Sequence, residues 1–157
     1  MDTEDADSEP SQYGDLLLYA QWMRKRRVRE QPSNKLEEIK QGDIVEICRH
    51  EFCAVAAVEL LERFGESCEA WGLIGDMGGT EHYFLIREGT ALDIGGFMSP
   101  EALQAIFSGP VREKRRVPKR QLYIMANEQA PTDELREALA ARITQRIDAH
   151  PDRFVRQ

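Results

Sequence analysis

The chain has 157 residues, 41% of them apolar and 31% charged, with three cysteines and a formal net charge of −7. That length suits one hydrophobic core rather than two, and no apolar run approaches the roughly 20 residues that span a bilayer. Five of the 28 acids (Asp2, Glu4, Asp5, Asp7, Glu9) fall in residues 1–10, which hold no base, and the other 23 nearly balance 21 bases. Residues 1–12 therefore read as a disordered acidic tail and 13–157 as one α+β domain. The acidic, polar start is the opposite of a secretory signal, so the expectation is a cytoplasmic protein whose thiols are free; three cysteines cannot all pair within one chain.

In chain order, Leu16, Leu17, Leu18, Tyr19, Trp22 and Met23 predict a helix from about Asp15. It turns basic at Arg24-Lys25-Arg26-Arg27, as the macrodipole favours, and breaks at Gln31-Pro32. Asn34 with Glu37 reads as a capping box opening a short helix through Ile39. Gln41-Gly42-Asp43 turns the chain, and residues 44–47 read equally as strand or helix. Residues 51–64 carry Cys53, Ala56, Ala57, Leu60, Leu61 and Phe64 at three- and four-residue spacing. This predicts the central helix, ended by Gly65.

Three strands follow: residues 70–74, 81–87 and 90–94. The first two are joined by the glycine-rich 75–79 loop and the last two by a two-residue Glu88-Gly89 turn. Ser99-Pro100-Glu101 starts a helix through Phe107. Residues 112–120 read as a basic, proline-punctuated connection, and 121–126 as a fourth strand. A closing helix begins at Pro131-Thr132-Asp133-Glu134, carries the stripe Leu135, Leu139, Ile143, Ile147, and ends at His150-Pro151. The architecture expected is α+β: a small antiparallel sheet of three or four strands packed on the helix bearing Cys53, with helices flanking it at both ends.

The residues that carry chemistry are Cys53, His82 and Asp93. A thiol at the start of a helix is biased toward thiolate by the helix N-terminus and by a nearby imidazolium. A base and an orienting carboxylate complete such a site. With a two-residue turn at 88–89, Arg87 pairs with Thr90, Phe84 with Asp93 and His82 with Gly95, so His82 and Asp93 share one face of the sheet. One residue of slip would separate them. The more uniformly apolar face, His82, Phe84 and Ile86, is expected to meet the Cys53 helix.

In their order these segments are similar to the papain-like cysteine hydrolases, in particular to small bacterial and phage members of that superfamily. The matching elements are Cys53-Ala54-Val55-Ala56-Ala57, Trp71-Gly72, His82-Tyr83-Phe84, Leu92-Asp93-Ile94-Gly95 and Ser99-Pro100-Glu101-Ala102-Leu103. The resemblance spans residues 51–107, about a third of the chain. It implies acyl transfer at an amide, thioester or ester bond, with Cys53 as nucleophile, His82 as its base and Asp93 orienting the imidazole. It implies no cofactor and a protein or peptide as substrate or partner. The Cys-to-His spacing is shorter than in the larger peptidases. The nearest upstream glutamine able to complete an oxyanion hole beside the Cys53 amide is Gln41, twelve residues away.

Other patterns point elsewhere more weakly. Cys48, His50 and Cys53, with Cys68 or His82, match no paired zinc knuckle. Gly72, Gly75, Gly78 and Gly79 lack the Lys-Ser/Thr and the helix of a phosphate loop. The basic clusters at 24–29 and 112–120 are not interleaved with aromatics, which argues against nucleic acid. The rival class is a non-catalytic interaction or inhibitor module that keeps the fold without activity, encoded for example by a phage or mobile element; the small size, the acidic tail and the long amphipathic helix from Thr132 to Ala149 point to it.

Overall fold

A computed structural model describes residues 35–65, 67–107 and 111–155. The acidic tail, the helix expected from Asp15 and the capping residue Asn34 lie outside the described residues. Within them the chain is α+β: six α-helices and a five-stranded antiparallel sheet of order β4-β3-β2-β1-β5. The sheet has one strand more than the upper expectation. No helix among the described residues is long and apolar enough to cross a membrane.

Helix α1 (Lys35–Gln41) leads into α2 (Ile44–His50). Asp43 settles the 44–47 segment as helix: its carboxylate accepts from the N–H groups of Val45 (3.0 Å) and Glu46 (3.4 Å), satisfying two of the donors that a helix start leaves open. Helix α3 (Cys53–Phe64) begins two residues after the 51–64 run opens, so Cys53 is its first residue. Small side chains let it lie close to its neighbours, and Cys53 to Val58, Leu60 and Leu61 are all buried.

Strands β1 (Glu69–Gly75), β2 (Thr80–Arg87) and β3 (Thr90–Asp93) follow, then β4 (Gly96–Met98), which was not expected. The β2–β3 turn has the predicted length. Glu88 and Gly89 both take positive φ (50° and 85°), the conformation a two-residue hairpin requires. Arg87 pairs with Thr90 and Leu85 with Leu92, as register arithmetic demands. The pairing stops there. Asp93 instead pairs with Gly96 across a second tight turn, so Gly95 does not reach His82 as a strand partner. β2 and β3 therefore part company beside His82, and the site lies in that gap.

Helix α4 (Pro100–Ile106) is capped by Ser99. Strand β5 (Val111–Arg116) replaces the expected connection and pairs with the far edge of β1. Its charged, exposed residues suit a sheet edge, where they discourage pairing with other chains. Residues 121–126 are not a strand either. They belong to α5 (Lys119–Gln129), started by Pro118 and filled with good helix formers. A short apolar run cannot announce its own period, and packing of α5 against α3 decides it. Helix α6 (Asp133–Ala149) and a 3₁₀ turn (Pro151–Phe154) close the described chain. The α6 stripe Leu135, Leu139, Ile143 and Ile147 is buried in the chain's own core.

The sheet has two apolar faces. Tyr83, Leu85, Leu92 and Ala70 join the helices α3, α5 and α6 in the larger core. Phe84, Ile86, Leu73 and Ala91 meet Leu103 of α4, with Trp71, Met98 and Phe107 around them. The expected assignment is thus inverted: the Phe84–Ile86 face looks away from the Cys53 helix. Both faces are covered, so hydrophobicity alone does not rank them.

Candidate active site

Cys53 sits at the first helical position of α3, where helix backbone N–H groups have no intrahelical partner and the macrodipole is positive. The free edge of β2 comes up to it, and the Tyr83 N–H donates to the Cys53 Sγ at 3.4 Å. Gln129, the last residue of α5, reaches the same atom. Its Oε1 accepts from the N–H groups of Ala54 (2.9 Å) and Val55 (3.3 Å), and its Nε2 donates to Sγ at 3.6 Å. Because both backbone groups are donors, only the amide oxygen can face them, and the amide NH₂ must face sulfur.

His82 is 1% exposed and lies between aromatic rings, Phe107 at 4.3 Å centroid separation and Phe84 at 6.2 Å. Its Nε2 meets the Asp93 Oδ2 at 3.2 Å. A carboxylate accepts, so Nε2 carries the proton and Nδ1 is the basic nitrogen of the neutral ring. Nδ1 is buried and makes no hydrogen bond of ordinary geometry within the described protein, yet the imidazole is close enough to the thiol for each to shift the other's protonation. A loose base–nucleophile contact is common before substrate arrives.

Asp93 is the most heavily bonded member. Besides His82 it accepts from Arg49 Nε at Oδ2 (2.9 Å), from Arg49 Nη2 at Oδ1 (3.1 Å), and from the Gly95 N–H at Oδ1 (2.8 Å). The pattern is a two-point guanidinium clamp on a 3% exposed carboxylate.

Electrostatics follow from these contacts. Burial alone pushes the Cys53 thiol up, but the His82 imidazole, the Tyr83 N–H and the Gln129 amide outweigh it and hold the thiol below its ordinary value. For His82, burial disfavours the cation, and the nearness of Asp93 and then of Cys53 reverses this, raising it. Burial would raise Asp93, while His82 and Arg49 hold it below the usual carboxylate range. Cys48 and Cys68 go the other way, both pushed up by burial. All three cysteines are free.

Comparison with models of known families, with curated proteins and with solved structures finds no match. The chemistry of the site rests on its own atoms.

Cys53, His82 and Asp93 come from three elements and meet at one spot. Gln41 does not join them: it is exposed, and its amide donates to Glu37 at 3.2 Å. Two residues enter that sequence reading did not single out. Gln129 lies 76 positions from Cys53, with no spacing to betray it. Arg49 sits unremarked between Cys48 and His50, the residues a metal reading draws on. His50 is exposed and contacts Glu46 at 3.2 Å. Among the described residues no three His, Cys, Asp or Glu side chains are arranged to hold a metal ion.

Proposed function

We propose that this protein is a papain-like cysteine hydrolase or acyltransferase that acts on an amide, thioester or ester bond, with a protein or peptide as substrate. The observation that carries the proposal is the ordered pair of contacts on His82. One ring nitrogen is fixed by Asp93, which leaves the other basic and facing a thiol at a helix N-terminus.

Each group then has a role. His82 Nδ1 takes the Cys53 proton, and the thiolate attacks the acyl carbon. The carbonyl pair moves onto oxygen, which the Cys53 backbone N–H and Gln129 Nε2 stabilise. Collapse of the tetrahedral species expels the amine, thiol or alcohol, protonated by His82, and leaves a thioester on Sγ. Water or another acceptor, deprotonated by His82, attacks the thioester and returns the thiol. Asp93 keeps the ring in the correct tautomer and stabilises the imidazolium. The α6 stripe is packed into the chain's own core, which leaves the helix's polar face as the part of it that could dock a partner.

Residue-resolved labelling with iodoacetamide across about pH 5 to 9 tests the proposal. Cys53 should react far faster than Cys48 and Cys68, with an apparent pKa below that of an ordinary thiol, and His82→Ala should remove the advantage. Slow labelling of Cys53 with an ordinary thiol profile would refute it.

A further inference from the structure

We infer that Arg49 is a positioning residue that sets the pH window in which Cys53 is a thiolate beside a protonated His82, by clamping Asp93 from behind. The inference rests on the cysteine-hydrolase reading and goes beyond it, since that reading needs only an orienting carboxylate.

The clamp is built rather than incidental. Arg49 and Asp93 are 44 positions apart, and both guanidinium contacts (2.9 and 3.1 Å) are made by a side chain only 14% exposed. A third element makes room for it. A Cβ at Gly95 would collide with Arg49 Nη2 and lie 3.3 Å from Cζ, so any other residue there would have to push the guanidinium aside. The same glycine donates its N–H to Asp93. Arg49, Gly95 and His82 together occupy the acceptor sites of the carboxylate.

Charge explains why this matters. An unclamped, buried Asp93 would present its full charge to His82 and favour imidazolium next to a neutral thiol, a state with no nucleophile and no base. Arg49 neutralises most of that charge. The thiol then loses its proton at lower pH, and the imidazolium gives up its own at lower pH as well, because one added positive charge disfavours both protonated forms. The other charged or titratable groups around this cluster are Cys48 of α2, with Arg142 of α6 beside it, and Arg146 of α6, with Arg153 of the 3₁₀ turn and Asp43 at the start of α2 beside it. Arg146 donates to the Ile94 carbonyl at 3.3 Å and does not bond the carboxylate. Among the arginines of the described residues, Arg49 is the one that bonds it.

The test is the pH profile of Cys53 alkylation by iodoacetamide in the full chain, read by peptide mass spectrometry. Wild type should show two limbs, thiol ionisation and imidazolium loss. In Arg49→Met both limbs should move up by about one pH unit, a tenfold change in proton affinity. Arg49→Lys, which keeps the charge, should stay nearer to wild type. Gly95→Ala should move both limbs in the Arg49→Met direction with the arginine still present. Arg49→Met with Asp93→Asn, removing both charges, should bring the limbs back toward wild type. A folded Arg49→Met protein whose limbs stay in place, or move in opposite directions, overturns the inference alone. Should Arg49→Met not fold, Gly95→Ala and the double variant decide it on the same criterion. A single ordinary thiol limb in wild type overturns both this inference and the hydrolase reading beneath it.

Discussion

Gln129 does two jobs with one amide, and the two are separable. Its oxygen caps α3 at Ala54 and Val55, and its NH₂ faces Sγ. Acylation by p-nitrophenyl acetate passes through an oxyanion, whereas alkylation by iodoacetamide does not. Gln129→Ala should therefore lower the acylation rate by about 10²-fold, the usual effect of losing one oxyanion donor. Alkylation should fall far less, and the lost cap should cost about 1 kcal/mol of stability. Equal losses in the two reactions would reduce Gln129 to a capping residue. The other site residues differ in how they can be read. Cys53, His82 and Asp93 show themselves by type, order and strand parity, because period-two arithmetic carries a side chain's direction along a hairpin. Arg49 and Gln129 act through contacts made by the whole fold. Their long flexible side chains leave no local period. The glycine two residues after Asp93 is the one trace of the clamp in the sequence, and it is explained only once Arg49 is seen against it.

Among the elements, the β3–β4 hairpin does most to place Asp93. The chain turns back at Ile94-Gly95, and Gly96 takes φ +111° while packed against the 3₁₀ turn. A Cβ there would collide with the Arg153 carbonyl oxygen and approach the Arg153 Cβ to 2.9 Å. Gly96→Ala thus combines backbone strain with a clash, and should lower the urea midpoint by the equivalent of about 1–3 kcal/mol. An unchanged midpoint would mean that the hairpin and the 3₁₀ turn are not held together as described. This element also marks where sequence reading stopped. A three-residue strand offers too few positions for alternation to register, and Gly95-Gly96 looks like the end of a strand rather than the start of another. Residues 121–126 failed for a related reason: Leu122, Ile124 and Ala126 are buried at alternate positions, the signature of a strand, yet they lie on a helix enclosed on several sides. The α3 helix and the β2–β3 hairpin were legible because each is long enough, or tightly enough turned, for its period to have one solution. The two-sided burial of the sheet hid which face α3 covers.

At the scale of the molecule, the cluster joins α2, α3, β2 and β3, so its protonation is linked to global unfolding. Asp93 is held low in the folded state. Its stabilising contribution is therefore complete above the unfolded value of about 4 and disappears as pH falls through the folded one. Cys53, also lowered, contributes fully above about 8.5 and loses that contribution on acidification. His82 is raised, so its contribution is full below about 6.5 and fades as pH rises through the folded value. Between roughly 6.5 and 8.5 the cysteine and histidine contributions run in opposite directions and oppose each other. The acid side has no such cancellation from Asp93. Asp93→Asn should be less stable than wild type by about 3 kcal/mol near neutrality, where it leaves Arg49 without its counter-ion. That gap should narrow as pH drops below about 4, because protonation removes from wild type the charge that the variant already lacks. Urea unfolding at pH 7, 4 and 2.5 measures the gap directly. Two curves that stay parallel down to the lowest pH would mean that Asp93 is not the ionised partner of His82 and Arg49.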